Sequence, residues 1–142
     1  MSKYREIKTE FRNPTSLKKA LDEMGVKYEA SLDARSNSIT LWSNWKTWGG
    51  ESQAVAIAIQ KDEASRVGLG CYDGVGFHWN GSSYDLVADH MDENLNSVVS
   101  QMNKLRQSYA KQEIRRQAYQ RGYGVQEDVG QDGVIRMTLV RR

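Results

Sequence analysis

The sequence predicts an α+β domain, a mainly antiparallel sheet with two helices on one face. Three observations carry that expectation. Segments of apolar–polar alternation recur from one end of the chain to the other. Only two stretches carry a helical stripe, a short one at 13–25 and a long one from about Leu95 to Arg121. Turn-forming pairs, Asp73-Gly74, Asn80-Gly81 and Asp132-Gly133, punctuate the remainder, and their tolerance of positive φ suits hairpins. The order of strand, helix, several strands, long helix and final strands fits helices on one side of a sheet. A split βαβ arrangement is the expected topology.

The elements follow in order. In "YREIKTEF", Ile7, Thr9 and Phe11 alternate as in a half-buried strand. "NPTSLKKALDEMG" is a short helix: Asn13 or a following hydroxyl caps it and Pro14 suits its first turn. Leu17, Ala20, Leu21 and Met24 form its stripe, and Gly25 ends it. "VKYEA" and "SITLW" alternate again, with Ile39 and Leu41 inward. "QAVAIAIQ" predicts one strand, with Val55, Ile57 and Ile59 on one face and Ala54, Ala56 and Ala58 on the other. "VGLGCYDGVGFHWNGSSYDLVAD" predicts short strands joined at Asp73-Gly74 and Asn80-Gly81.

In the long helix, Leu95, Val98, Val99, Met102, Leu105 and Tyr109 form a first stripe. Ala110, Ile114 and Ala118 follow at i+4 spacing, which drifts about 40° per step. A bend or a change of packing partner near Ala110 is therefore expected. Gly122 ends the helix, and the tail is a hairpin turning at Asp132-Gly133.

At 142 residues the chain is one domain, able to bury a single core, and 39% hydrophobic with 27% charged residues argues against disorder. One cysteine, Cys71, excludes an internal disulfide and suits a reducing cytosol. The N-terminal "MSKYREIKTEF" has no signal-peptide stretch, and the longest apolar run, Ala54 to Ile59, is too short for a bilayer. The net charge of +2 is uneven: from Lys104 onward there are nine Lys/Arg against four Asp/Glu.

Four features invite a chemical reading. "LWSNWKTWGG" holds Trp42, Trp45 and Trp48. Leu41 completes a strand pattern, so Trp42 is expected in the core, whereas Trp45 and Trp48, with Lys46 between them, are candidate anchors for a partner. On an ideal helix Lys104, Lys111 and Arg115 fall within about 40° of each other, away from the apolar stripe. With Arg121 they form a candidate basic ridge able to meet phosphates. "GLGCYDGVG" fails the dinucleotide fingerprint, since its third glycine comes one position late and a hairpin, not a helix, should follow. Its glycines are therefore assigned to turns and strands. His90 lies near Asp85, Asp89, Asp92 and Glu93, but no zinc or EF-hand spacing is present. An acidic approach to the N-terminus of the long helix explains the same residues. Cys71, His78 and His90 show no spacing that ties a nucleophile to a base, and Cys71 is expected in a buried or half-buried strand.

The pieces "IKTEFRNPTSLKKALDEMG", "VGFHWNGSSYDLVAD" and "YAKQEIRRQAYQRGYGVQEDVGQDGVIRMTLVRR" together resemble one family. It is the conserved protein of cyanobacteria and algal plastids called hypothetical chloroplast open reading frame thirty-five, whose domain has no assigned function. The Phe-x-Trp-Asn-Gly hairpin followed by Tyr-x-Leu-Val-Ala-Asp is the most specific part. The stretch from Ser31 to Glu51 departs most, because the family has a polar glycine- and aromatic-containing loop there without a Trp triplet. The resemblance implies a cyanobacterial, plastid or cyanophage setting, hence cyanobacterial cytosol, plastid stroma or host cytosol. It brings no activity, cofactor or catalytic residue with it.

The expectation is a non-enzymatic binding or adaptor protein acting through a macromolecular partner, a protein in the first instance. No cofactor and no metal is expected. The alternatives are a nucleic-acid-binding protein using the basic helix, and an enzyme with an acidic-histidine site around Asp85–Glu93.

Overall fold

The computed structural model describes residues 4–42, 52–89, 92 and 95–141. Five strands form the main sheet: β1 (Tyr4–Lys8), β2 (Glu29–Ala30), and, in the numbering used below, β5 (Ile57–Ile59), β6 (Val75–Trp79) and β7 (Tyr84–Asp89). Their order is β1-β7-β6-β5-β2, with every neighbouring pair antiparallel. Two further strands, β3 (Ile39–Leu41) and β4 (Gln53–Val55), pair as a small second sheet. Three helices, α1 (Pro14–Glu23), α2 (Lys61–Val67) and α3 (Asn96–Gln120), and a two-stranded ribbon, β8 (Tyr123–Val129) and β9 (Ile135–Arg141), complete the described chain.

The α+β class with an antiparallel sheet is present, but two parts of the expectation are corrected. There are three helices among the described residues, not two. The sheet is not a split βαβ: β1 and β2, joined through α1, sit at opposite edges with three strands between them. The reason lies in the hairpin at Asn80-Gly81, where Gly81 takes φ +104° and locks β6 against β7. β5 then adds to the other side of β6, and the three together fill the space a split βαβ leaves for one strand.

The two faces of the sheet carry different rows. Ile7, Leu86, Phe77, Ile57 and Ala30 are register partners across all five strands and face the helices. On the other side the row is Glu6, Val87, Gly76, Ala58 and Glu29. The β3–β4 pair covers its centre, where Leu41, Val55, Ala58 and Val87 form a second, smaller core.

That arrangement depends on Ala56. Its N–H donates to the carbonyl of Phe77 at 2.9 Å, while Ile57 is already Phe77's register partner, so two residues oppose one. This is the count of a β-bulge. It splits the single expected strand into β4 and β5 and reverses the facing of Val55. Val55 joins the second core, while Ala56, Ile57 and Ile59 stay in the first. A Cβ on Gly76 would lie 2.8 Å from Val55 Cγ1, so the close seat of β4 requires glycine there.

α1 is built as its residues dictate. Asn13 Oδ1 accepts from Ser16 N at 2.9 Å, Pro14 opens the first turn, and Gly25 follows at φ +73°. The hydroxyl of Tyr109 on α3 accepts from the N–H groups of Arg12 and Asn13, at 2.9 and 3.0 Å, just outside the helix start. Its ring lies 4.7 Å from that of Phe11. α3 changes partner as its two stripes require. Val98, Met102, Leu105 and Tyr109 enter the main core, and the later turns lie beside the ribbon.

Candidate functional site

The tryptophan stretch lies in the connection from β3 to β4, and Trp45, Lys46 and Trp48 fall outside the described residues. Trp42 is described and corrects the expectation: it is 51% exposed, not core. Leu41, paired with Gln53, is the last residue of β3 and is fully buried, so the next side chain along turns away from the face Leu41 fills.

The candidate basic ridge divides. Lys111 is largely covered and its ammonium pairs with Glu23 of α1 and, at 3.5 Å, with Glu127 of β8. The guanidinium of Arg115 pairs with the same Glu127. The structure thus brings Lys111 and Arg115 together on one carboxylate, and leaves Lys104 and Arg121 exposed near the two ends of the stretch, about 25 Å apart at helical rise. Burial pushes the Glu23 carboxyl upward, but hydrogen bonds from Lys111 and Gln112 outweigh it and hold the group below its ordinary range. One turn further on, the Arg116 guanidinium holds the Glu113 carboxyl down to about 2, helped by Ser16 and Gln117. The second half of α3 is therefore a seam of ion pairs joining α1, α3 and the ribbon.

The acidic residues also have structural partners. Asp85 accepts from Asn80 Nδ2 at 3.0 Å, and His78 Nδ1 lies 3.0 Å from the carbonyl of Ala54. Asp92 is fully buried, and its carboxylate accepts from the backbone N–H groups of Cys71 (3.0 Å), Tyr72 (3.0 and 3.2 Å) and Asp73 (3.2 Å). The glycine-containing loop does cradle an anion, supplied by its own chain. Gly70 makes the cradle tight, because a Cβ there would lie 2.4 Å from Asp73 O. Gly74 has no hairpin role either; a Cβ there would meet Ile59 O at 2.5 Å. Cys71 lies in this exposed loop rather than in a strand. His90 and Glu93 fall outside the described residues. Among the described residues no three His, Cys, Asp or Glu side chains are grouped to hold a metal, and no helix is long and apolar enough to cross a membrane.

The ribbon, expected from the sequence only as a hairpin, presents a surface of its own. Residues Tyr123, Val125, Glu127 and Val129 of β8 and Ile135, Met137, Leu139 and Arg141 of β9 share one face, the face on which Glu127 reaches α3. The fit is loose. A cleft of ≈ 580 Å³ opens between Ala110 and Ile114 of α3 and Val134, Ile135 and Met137, and a second of ≈ 280 Å³ between Ile114, Ala118, Tyr123 and Leu139. Val129 (65%), Leu139 (57%), Val134 and Ile114 are exposed here, with Val140 exposed on the opposite face of the ribbon and Tyr119 beside α1. The usable signal in the sequence is four valines, Ile135 and Leu139 in a tail that has only the short second stripe of α3 to pack against.

Fold and surface together define an α+β fold in which Asp92, Glu113, Lys111 and Arg115 serve structure, and in which much of the exposed apolar surface lies on the second half of α3 and the ribbon. Comparison supplies the family. Residues 20–138 match the family described as "Protein of unknown function (DUF1257)", and the chain belongs to that cyanobacterial and plastid family. Among similar proteins are two named "Uncharacterized protein ycf35". The one from Guillardia theta is 31% identical over 99% of this chain and 98% of its own length, and the one from Pyropia yezoensis is 28% identical over the same shares. No solved structure matches the chain significantly.

Proposed function

We propose that this chain is a non-enzymatic binding protein, an adaptor whose partner is another protein, working in cyanobacterial cytosol or plastid stroma. The observation that supports it is the concentration of exposed apolar side chains, Ile114, Val129, Val134, Leu139 and Val140, on the outer half of α3 and the ribbon. Exposed apolar side chains concentrated in one region favour an interaction site there. Trp45, Lys46 and Trp48 stay candidate anchors within the same reading. Nucleic-acid binding has less support, because Lys111 and Arg115 are already paired with Glu23 and Glu127.

The test is a comparison of two tagged chains expressed in a cyanobacterium: the parent, and Val129→Asp/Leu139→Asp, whose positions are too exposed for the change to unfold the core. The expected result is one defined protein, identified by mass spectrometry, that copurifies with the parent and is lost from the variant while the melting temperatures agree. Equal recovery of every protein by the two chains refutes the reading.

A further inference from the structure

We propose that the free edge of β9 takes up an extended acidic segment of a partner protein by strand addition. The proposal rests on the protein-binding reading above and names the form of the partner. Gly130 N donates to Val134 O at 3.0 Å at the closed end of the ribbon. Counting from that pair, the ladder bonds fall at Asp128–Arg136, Gln126–Thr138 and Gly124–Val140. The alternate residues of β9, Ile135, Met137, Leu139 and Arg141, therefore direct N–H and C=O groups away from β8. No other described strand pairs with β9, which keeps its register without interruption over seven residues.

Natural sheets guard such edges with proline, bulges or charge. β9 has neither proline nor bulge, and its charges are Arg136 and Arg141 with no acid among them. A second copy of β9 alongside would bring four arginines to one seam, so the charge selects against self-pairing and for an acidic strand. The far end of the edge is prepared for one. Arg141 lies opposite Tyr123, and beside them the ≈ 280 Å³ cleft is lined by Ile114, Ala118 and Leu139 with Arg121 at its rim. Arg121 and Arg141 are exposed, and neither makes an ion pair among the described residues. An extended segment with apolar and acidic residues two positions apart, and so on one face, would bond to the β9 edge, seat an apolar side chain in the cleft and set carboxylates on Arg121 and Arg141.

The probe is a fluorescein-labelled nonapeptide with threonine at every second position and glutamate and leucine alternating at the positions between, so that both share a face, titrated by fluorescence anisotropy, with the same peptide carrying lysine for glutamate as control. Saturable binding of the acidic peptide, weakening as salt rises, with no binding of the control, is expected. Met137→Pro removes an outward N–H while leaving the inner ladder intact, and should weaken binding at least tenfold. Arg121→Glu/Arg141→Glu, at exposed positions, should do the same without relying on a proline. In the parent chain the peptide should slow hydrogen exchange at Met137 and Leu139. Absence of saturable binding, equal binding of both peptides, or binding unchanged by both variants overturns the proposal. So does a dimer of the parent chain that Met137→Pro abolishes, which would make a second copy the occupant. In the copurification experiment, a partner kept by Met137→Pro but lost from Val129→Asp/Leu139→Asp leaves protein binding standing and removes strand addition; a partner kept by both removes both readings.

Discussion

Replacing Asp92 with alanine should destabilise the protein by several kcal/mol at most, and the size of the effect can be worked from its contacts. The carboxylate receives three backbone N–H groups, from Cys71, Tyr72 and Asp73. Asp73 is buried, so loss of the carboxylate its N–H donates to costs about 1–3 kcal/mol. Cys71 and Tyr72 are exposed and their amides regain water, which limits each loss to about 0.5–1.5 kcal/mol. The total is about 2–6 kcal/mol, a fall in melting temperature of roughly 6–18 °C for a chain of this length. Asp92→Asn should fall between parent and alanine. Its remaining oxygen still serves Cys71 and Tyr72, but its NH₂ faces the Asp73 N–H, and the charge that strengthened every bond is gone. Thermal unfolding followed by circular dichroism at neutral pH reads the effect, and hydrogen exchange at residues 71–73 localises it. A melting point for Asp92→Ala within about 2 °C of the parent would show that water, rather than Asp92, satisfies these amides.

Acid should act partly through Glu113. Its folded pKa of about 2 lies below the ordinary value of 4.5, so its stabilising share is complete above pH 4.5 and is lost as pH falls towards 2; Glu113→Gln should flatten the stability profile across that window, and an unchanged acid limb refutes the role. Gly76→Ala should destabilise by about 1–3 kcal/mol in urea unfolding, since its Cβ would overlap Val55, and adding Val55→Ala should recover part of that loss. Strictly additive losses in the double variant would show that Val55 is not what forbids the methyl.

What could be read from the sequence was what short-range chemistry decides. Asn13, Pro14 and Gly25 bound α1, Asn80-Gly81 and Asp132-Gly133 turn hairpins, and Gly122 ends α3, each because a cap or a positive φ is set by one or two residues. α2 escaped notice because Ala64 is its one buried residue, so seven residues carry no stripe, and Gln60 gives it no side-chain cap. Its legible marks were weaker: Asp62 and Glu63 in the first turn and Gly68 after the last. Val55 was misfaced because a bulge is invisible to a period-2 pattern until Phe77, from another strand, supplies the single residue that two must oppose. Lys111 looked solvent-facing because Glu23, far away in sequence, and Glu127, on the ribbon, are what cover it.

The glycine loop shows why local motif and function separate in this chain. A loop whose consecutive N–H groups converge can hold a phosphate, and its sequence resembles that of loops that do. No helix follows the loop to face a phosphate with its N-terminus; β6 follows. Yet the N–H groups do converge, and what decides between ligand and structure is whether the chain brings its own anion. Asp92, only a few residues before α3, enters the cradle and ties the loop after α2 to the approach to that helix. The same logic runs through Glu127 on Lys111 and Arg115 and through Glu113 on Arg116. Where this protein places charge against charge, the partner is usually internal. Among the described cations with no internal ion pair, Arg121 and Arg141 lie beside an unpaired strand edge, and that position gives them the best claim to an external partner.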